Sequence, residues 1–280
     1  MKKEKIVADL HMHSTASDGE FDPAELIHLA ATRELKAISV TDHDTFQGIS
    51  RALKEGEILG IRVIPGIEIG AEFEPGMLHV LGFFPEYPVE MEKALDVMQQ
   101  ARIMRVPRII EKLNALGIML TKEDVMETAG DSQIGRPHIA RALLKKGFVR
   151  TFDEAFDTYL RKGKKAYVPK EKIPWQDALR LIRHYRGLPV LAHPCTLNLS
   201  NEGLADLLRE MKQSGLAGME VYYPDHSPEQ TAAYGHLALR SGLLATGGTD
   251  FHGPLRNAVP VGDFGIDEER LEIFLHHLFS

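Results

Sequence analysis

The sequence predicts an α/β barrel interrupted by an all-helical insertion, and three observations carry that prediction. About seven short β-branched or apolar runs alternate with helical periodicity towards the two ends of the chain, in the strand–helix order that closes into a barrel. Between about Val89 and Tyr159 the strand-like runs stop and helical spacing takes over. Nearly every strand-like run ends in a histidine or a carboxylate, and in parallel α/β folds functional groups gather at the carboxyl ends of strands.

Ile6 to Leu10 reads as the first strand and delivers His11 and His13; two residues apart on an extended chain, they face one side. Asp18 follows in the loop Ser17-Asp18-Gly19. Asp22-Pro23 opens a helix with proline in its first turn, carried on to Ala31. His28 on that helix reads as a surface or packing histidine. Ala37 to Thr41 is the second strand, running into Asp42-His43-Asp44, and Thr45 to Glu57 the next helix. Ile61 to Ile67 delivers Glu68, and Met77-Leu78 leads to His79 in the run ending at Phe83.

In the insertion, Leu95, Met98, Ile103, Val106, Ile109, Ile110, Leu113 and Leu116 recur at helical spacing. Thr121-Lys122-Glu123-Asp124 caps a further helix and Arg136-Pro137-His138 starts another. Met91, Met98, Met104, Met119 and Met126 are expected to fill the core. From Ile173 the alternation resumes: helix to Tyr185, strand from Leu188 to Ala192 ending at His193, helix to Lys212, strand from Met219 to Tyr222, helix to Ser241, strand to Gly248. Thr249-Asp250-Phe251-His252 follows, and a helix from Asp267 closes the chain. Residues 1–88 and 171–280 are thus expected to form the barrel and residues 89–170 a substrate-capping insertion.

With 280 residues, 44% hydrophobic and 26% charged, the composition is that of a folded enzyme with a large core. The net charge of −7 argues against an extended nucleic-acid surface but not against a small nucleotide at a local positive site. No apolar stretch reaches transmembrane length, and the first apolar run breaks at Asp9. The sequence therefore reads as cytoplasmic, away from membranes, with no obligatory protein partner. The single Cys195 excludes an intramolecular disulfide and reads as a space-filling residue near a strand end.

The chemistry is that of a polynuclear metal site. Six histidines (His11, His13, His43, His79, His193, His252) and three carboxylates (Asp18, Glu68, Asp250) recur at strand ends. Imidazole and carboxylate without thiolate suit Mn, Fe or Zn in a working rather than a structural site. Glu68, with two oxygens, can bridge two ions. Three divalent ions against three carboxylates leave a pocket near +3, which attracts a phosphate dianion, and water bridging two ions becomes hydroxide near neutral pH. Asp9 and Asp42 are open between orienting histidine ring N–H groups and direct ligation. Gly135-Arg136-Pro137-His138 places a guanidinium and an imidazole at a helix start, where backbone N–H groups favour anions. Lys162, Lys164 and Lys165 are open between a solvated turn and phosphate binding. His226 follows a strand end and is open between protonating a leaving oxygen, binding phosphate and a polar helix entry. His184, His236, His276 and His277 lie on helices, away from this chemistry.

Four motifs bring the chain to a family. Asp9-Leu10-His11-Met12-His13, Thr41-Asp42-His43-Asp44, His193-Pro194 and Thr249-Asp250-Phe251-His252, with Glu68 and His79 between them, resemble the polymerase and histidinol phosphatase (PHP) superfamily along the whole chain. The resemblance implies a distorted (β/α)7 barrel and metal-dependent phosphoester hydrolysis by a metal-bridging hydroxide. By position it assigns His11, His13, Glu68 and Asp250 to one ion, Glu68, His79 and His193 to a second, and Asp18, His43 and His252 to a third. Two or three divalent transition ions are therefore expected, with Glu68, Asp250 and His226 as the catalytic set. The insertion, the Gly-Arg-Pro-His segment and the length look most similar to members acting on small nucleotides: 3′,5′-bisphosphonucleotide phosphatases and 5′-to-3′ exoribonucleases trimming short oligonucleotides. Arg136, His138, Lys164 and His226 are then the expected substrate contacts. The alternatives are a histidinol phosphatase and, in another class, a non-catalytic metal-binding module associated with a polymerase.

Overall fold

A computed structural model describes residues 5–129, 134–169, 172–256 and 259–280. Its strands are β1 (Ala8–Met12), β2 (Ala37–Val40), β3 (Arg62–Glu72), β4 (Leu78–Phe83), β5 (Ile173–Pro174), β6 (Leu188–Leu191), β7 (Gly218–Tyr222) and β8 (Leu244–Gly247). Seven of them form one nearly closed sheet in the order β1-β2-β3-β4-β6-β7-β8, with the short β5 paired to the end of β3. The barrel expected from the strand–helix alternation is present, with one departure. β4 runs antiparallel to both neighbours, β3 and β6, while the other pairs are parallel. The connection from β3 to β4 is too short for a crossover helix, so the chain turns back as a hairpin.

Helices α1 (Pro23–Thr32), α2 (Ile49–Leu59), α3 (Met91–Ala115), α4 (Lys122–Ala129), α5 (Arg136–Lys145), α6 (Phe152–Ala155), α7 (Trp175–His184), α8 (Asn201–Gln213), α9 (Pro228–Arg240) and α10 (Glu268–Leu278) accompany the strands, α6 running on into a π turn over Phe156–Leu160, with a short 3-10 turn over Pro194–Leu197. Their starts follow local chemistry. Asp22 caps α1 through Ala24 N while Glu25 reaches back to Asp22 N, and Ser227 with Gln230 does the same for α9. α2 begins later than the periodicity suggests, because Asp44 holds a left-handed backbone (φ 57°) and Thr45 ties off a turn at Gln47 N.

Alternation along the strands explains where the site sits. Leu10, Ile64, Leu81, Phe83 and Val190 form an inner cluster into which α10 inserts Leu271, Phe274 and Leu278. α10 therefore plugs one end of the barrel with apolar side chains. Towards the other end the same inner faces carry Glu68 on β3 and His79 on β4. Outer-face residues such as Ile38, Ile67, Val80, Met219 and Val221 pack beneath the helices in the main cluster.

Between Met91 and Val168 the described chain is helical and has an apolar cluster of its own, including Ile109, Leu113, Ile139, Leu143 and Leu160. The methionines there divide. Met91 and Met98 are buried, but Met104, Met119 and Met126 are exposed, correcting their expected core placement. Met104 lies on the solvent side of α3 and Met126 on that of α4, while Met119 lies in the connection between those two helices.

Candidate metal centre

The ligand-bearing loops converge by backbone pairing. His13 N donates to Phe251 O at 2.8 Å, Glu68 N to Asp42 O at 3.2 Å, and Asp44 N to Glu68 O at 3.1 Å. Two glycines permit the approach: a Cβ on Gly248 would lie 2.4 Å from the His11 Cβ, and one on Gly19 2.2 Å from the His13 carbonyl oxygen. His193 (φ 25°) and Asp250 (φ 48°) hold left-handed backbone conformations that non-glycine residues adopt at a cost.

Three sets of buried or half-buried side chains could each hold an ion, with one offered atom per residue and all within 4.8 Å of one another: His11, His13, Glu68 and Asp250; His13, Asp18, His43 and His252; and His43, Glu68 and His79. His193 joins through Glu68, its Nε2 lying 3.0 Å from Oε1. All nine ligands nominated from sequence meet here. Their grouping is more shared than the expected partition: His13 serves the Asp18 set, and His43 the Glu68 set.

Glu68 is the hub. Its Oε1 lies 2.7 Å from His79 Nδ1 and 3.0 Å from His193 Nε2, while Oε2 lies 3.0 Å from His43 Nδ1, 3.2 Å from His13 Nε2 and 3.6 Å from His11 Nε2. The chemistry of the set fits divalent ions, and so do its buried nitrogens. His252 Nδ1 donates to Asp250 O at 2.7 Å, leaving Nε2 as the lone pair. That Nε2 and His13 Nδ1 are buried without a hydrogen-bond partner among the described residues. A buried ring nitrogen without a partner is costly, and histidines such as His252, whose second nitrogen is held by a fixed acceptor, are the usual metal ligands.

The electrostatics are those of tight imidazole–carboxylate pairing. Burial opposes charge on Asp18, Glu68 and Asp250, but the surrounding histidines override it and hold all three carboxyls well below the usual range, His252 acting first on Asp18, His43 on Glu68 and His11 on Asp250. Burial likewise opposes charge on His13, yet hydrogen bonds to Asp250 and Glu68 push its pKa up to about 9.

The aspartates beside the motifs play another part than either one expected. Asp42 accepts from Ser14 N, Ser14 Oγ and Ser17 Oγ, and Asp9 from Thr249 N, Thr249 Oγ1, Gly262 N and His11 N. Both tie loops together; the recorded partners of their carboxylates are hydroxyls and backbone amides rather than histidine rings. The carboxylate that does orient a ring is Glu220 on β7, fully buried, with Oε1 3.0 Å from His11 Nδ1 and Oε2 accepting from His193 N at 2.7 Å. Sequence reasoning missed it. Its signal was a charged residue between Met219 and Val221 in a strand covered on both faces, where the inner face near the barrel mouth is the place for a carboxylate.

Sequence reasoning also missed two arginines at this mouth. Arg256 NH1 lies 3.0 Å from Asp18 Oδ2, and Arg141 on α5 donates to the Asp18 carbonyl oxygen at 2.9 Å. Of the expected substrate contacts, Arg136 donates to Leu160 O at 3.2 Å and stacks over Phe156 at 5.8 Å. His138 is buried and its Nδ1 accepts from Gly135 N at 2.9 Å, so it caps α5. Lys164 is exposed, and neighbouring Lys162 pairs with Glu74. His226 is buried near the centre: Nδ1 donates to Val221 O at 2.9 Å, Nε2 has no hydrogen-bond partner among the described residues, and burial lowers its pKa. Tyr223 stands beside it and donates to Asp250 Oδ2 at 3.2 Å. Cys195 is half-buried, its thiol pushed up to about 11 by burial, outside the three ligand sets.

Comparison with known proteins places these features in a family context. The PHP domain model matches residues 9–252. The chain is 33% identical over 253 residues to the 5′-3′ exoribonuclease Rnm of Escherichia coli, covering 89% of this chain and 86% of that one. It is 31% identical over 257 residues to the 3′,5′-nucleoside bisphosphate phosphatase of Chromobacterium violaceum, covering 91% and 90%. A solved structure from Bifidobacterium adolescentis, described as a metal-dependent phosphoesterase, superposes with a TM-score of 0.88 at 29% identity, covering 98% of each chain. No helix among the described residues is long and apolar enough to cross a membrane.

Proposed function

The chain belongs to the PHP domain family of metal-dependent phosphoesterases, and on that premise we propose that it hydrolyses a phosphate ester of a small, doubly anionic nucleotide: a nucleoside 3′,5′-bisphosphate or the end of a short 5′-phosphorylated oligonucleotide. The observation that carries the chemistry is Glu68, whose two oxygens address different histidines, His79 and His193 on one side and His43, His13 and His11 on the other. This supports two ions bridged by one carboxylate, with the Asp18, His43 and His252 set for a third. Ions of the Mn, Fe or Zn class, when bound, would lower the pKa of a water and neutralise the phosphoryl oxygens.

The residues divide the remaining work. Glu68 and Asp250 both face the Nε2 atoms of His11 and His13 and would hold one ion with them. His226 is proposed as the proton carrier; with Nδ1–H fixed on Val221 O, any proton it exchanges passes through Nε2. The names of the two relatives favour a nucleotide substrate, and a second anion site supports that reading. Arg136 at the start of α5, His138 in the same turn, Lys164, and now Arg141 are proposed to take the phosphate that is not cleaved, while Arg256, paired with Asp18, is proposed to serve the reacting end. We propose the helical segment as the cap that brings them to the barrel mouth. Histidinol phosphate, with one phosphate and a cationic amine, would leave such a site unpaired.

Steady-state kinetics after metal reconstitution tests the reading. A nucleoside 3′,5′-bisphosphate is expected to give a higher kcat/KM than the nucleoside monophosphate, a cyclic phosphate diester or histidinol phosphate. A panel in which histidinol phosphate wins overturns the substrate. Elemental analysis is expected to find at least two ions per chain, on the order of one for each oxygen of a bridging carboxylate; one or none overturns the polynuclear centre.

A further inference from the structure

Glu220 stands outside all three candidate ligand sets, yet it touches two of the ligand-bearing residues at once. It projects from the inner face of β7 and is fully buried. An unpaired carboxylate in such a place would be strongly destabilising, so each oxygen needs a donor. Oε1 has His11 Nδ1 at 3.0 Å, and Oε2 has the backbone N–H of His193 at 2.7 Å.

The two contacts do different things. At His11 the carboxylate fixes the proton on Nδ1, which turns Nε2 towards Glu68 Oε2 and Asp250 Oδ1, at 3.6 and 3.3 Å. At His193 it holds a residue whose backbone is left-handed (φ 25°, ψ 67°), a conformation that needs external support. The His193 ring is steadied by Thr196, with Nδ1 3.1 Å from Oγ1, so its Nε2 faces Glu68 Oε1 at 3.0 Å. One carboxylate thus sets a histidine on each side of the Glu68 bridge.

We propose that Glu220 is a positioning residue that supports His11 and His193 together, so that the affinities of the ions on the two sides of Glu68 depend on one shared side chain. The proposal rests on the metal-centre reading, not on the substrate. Both partners are donors, which makes a carboxylate the only acidic or amide side chain of this length that satisfies both. The amide of Glu220→Gln has one acceptor oxygen; its NH2 would face either the His193 N–H or the His11 Nδ1. The first leaves two donors opposed, and the second drives the His11 proton to Nε2, the atom that must ligate.

Zinc titration of metal-free protein, with circular dichroism and thermal melting on the same samples, is the test. Glu220→Gln is expected to keep its fold and to weaken two stepwise zinc dissociation constants together, each by about 10- to 100-fold. Long-range 1H–15N spectra of zinc-loaded wild type are expected to place the His11 proton on Nδ1, a readout that needs no variant. Wild-type zinc constants in Glu220→Gln overturn the proposal, as does weakening of one constant alone or a His11 ring lacking its Nδ1 proton in the loaded wild type. Wild type that binds fewer than two zinc ions overturns the metal-centre reading instead.

Discussion

Asp9 and Thr249, 240 residues apart, meet in a double contact: one carboxylate oxygen accepts from Thr249 N at 3.0 Å and the other from its hydroxyl at 2.7 Å. Gly262 N adds a third donor at 3.0 Å. β1 and β8 share no ladder in the sheet, so this carboxylate is a main tie across the barrel's seam. Asp9→Ala strands these donors in a buried place, where each unsatisfied group costs roughly 1–3 kcal/mol. We predict a stability loss of at least about 2 kcal/mol in denaturant unfolding, together with weaker metal binding, since Asp250 follows Thr249 directly. A variant as stable as wild type would place the closing force elsewhere.

Arg136 and Arg256 should separate in kinetics. Arg256 pairs with Asp18 inside the centre, so Arg256→Ala is expected to depress hydrolysis of a nucleoside bisphosphate and of a small aryl phosphate alike. Arg136 sits on α5, about 7 Å along the helix axis before Arg141. Arg136→Ala is expected to lose at least roughly tenfold in kcat/KM on the bisphosphate, the scale of one charge-assisted hydrogen bond, and to leave the aryl phosphate nearly intact. Equal losses in Arg136→Ala would remove it from the second anion site.

His226 should give the protein an acid limit. Its pKa is lowered by burial, whereas in the unfolded chain it titrates near its ordinary value of 6.5. Below that pH the unfolded state binds a proton that the native state resists, so stability falls as pH drops from 6.5 towards the native pKa, and this contribution is level above it. The slope is at most about 1.4 kcal/mol per pH unit. His226→Asn, whose amide nitrogen takes the place of Nδ1 and can still donate to Val221 O, is expected to lose less in melting temperature than wild type between pH 7.5 and 5.5, a window of about two units around the ordinary histidine range. Identical pH profiles would contradict the prediction.

Glu68→Gln should be among the most damaging single changes, because an amide cannot bridge as an anion. Isothermal titration is expected to find that the variant binds at least one ion fewer than wild type, with activity lost in proportion, while its far-UV spectrum is unchanged. Wild-type stoichiometry would leave Glu68 without its bridging role.

The clustering was legible in sequence because its members are chemical types that strand ends seldom accumulate by chance; His11, His79 and Asp250 announce themselves as candidates by identity. What surrounds them was less legible. Asp42 is adjacent to His43, and neighbouring side chains on extended chain point to opposite faces; Asp9 precedes an irregularity in β1 between Asp9 and Met12 that breaks the alternation, and the two carboxylates turn to Ser14 and Ser17 and to Thr249. Glu220 is one glutamate in an apolar strand, and nothing local says which partner lies across 209 residues. The direction of β4 was carried not by the run Leu78 to Phe83 itself but by the short stretch before it, which leaves no room for a crossover helix and which an expectation of uniform strand–helix alternation passes over. Arg141 and Arg256 were two basic residues among many until the fold brought both to Asp18.

The reversal of β4 has a consequence for how the chain matures. Glu68 and His79 are only 11 residues apart and pair across a hairpin, a contact that can form within microseconds of its strands appearing. His193 reaches Glu68 from 125 residues further on, and the Asp250 motif docks onto β1 later still. Emerging from the ribosome, the polypeptide has the hub of its centre long before it has the rim. The complete ligand set is among the last things synthesis delivers, and a nascent chain halted before β8 would lack both Asp250 and His252.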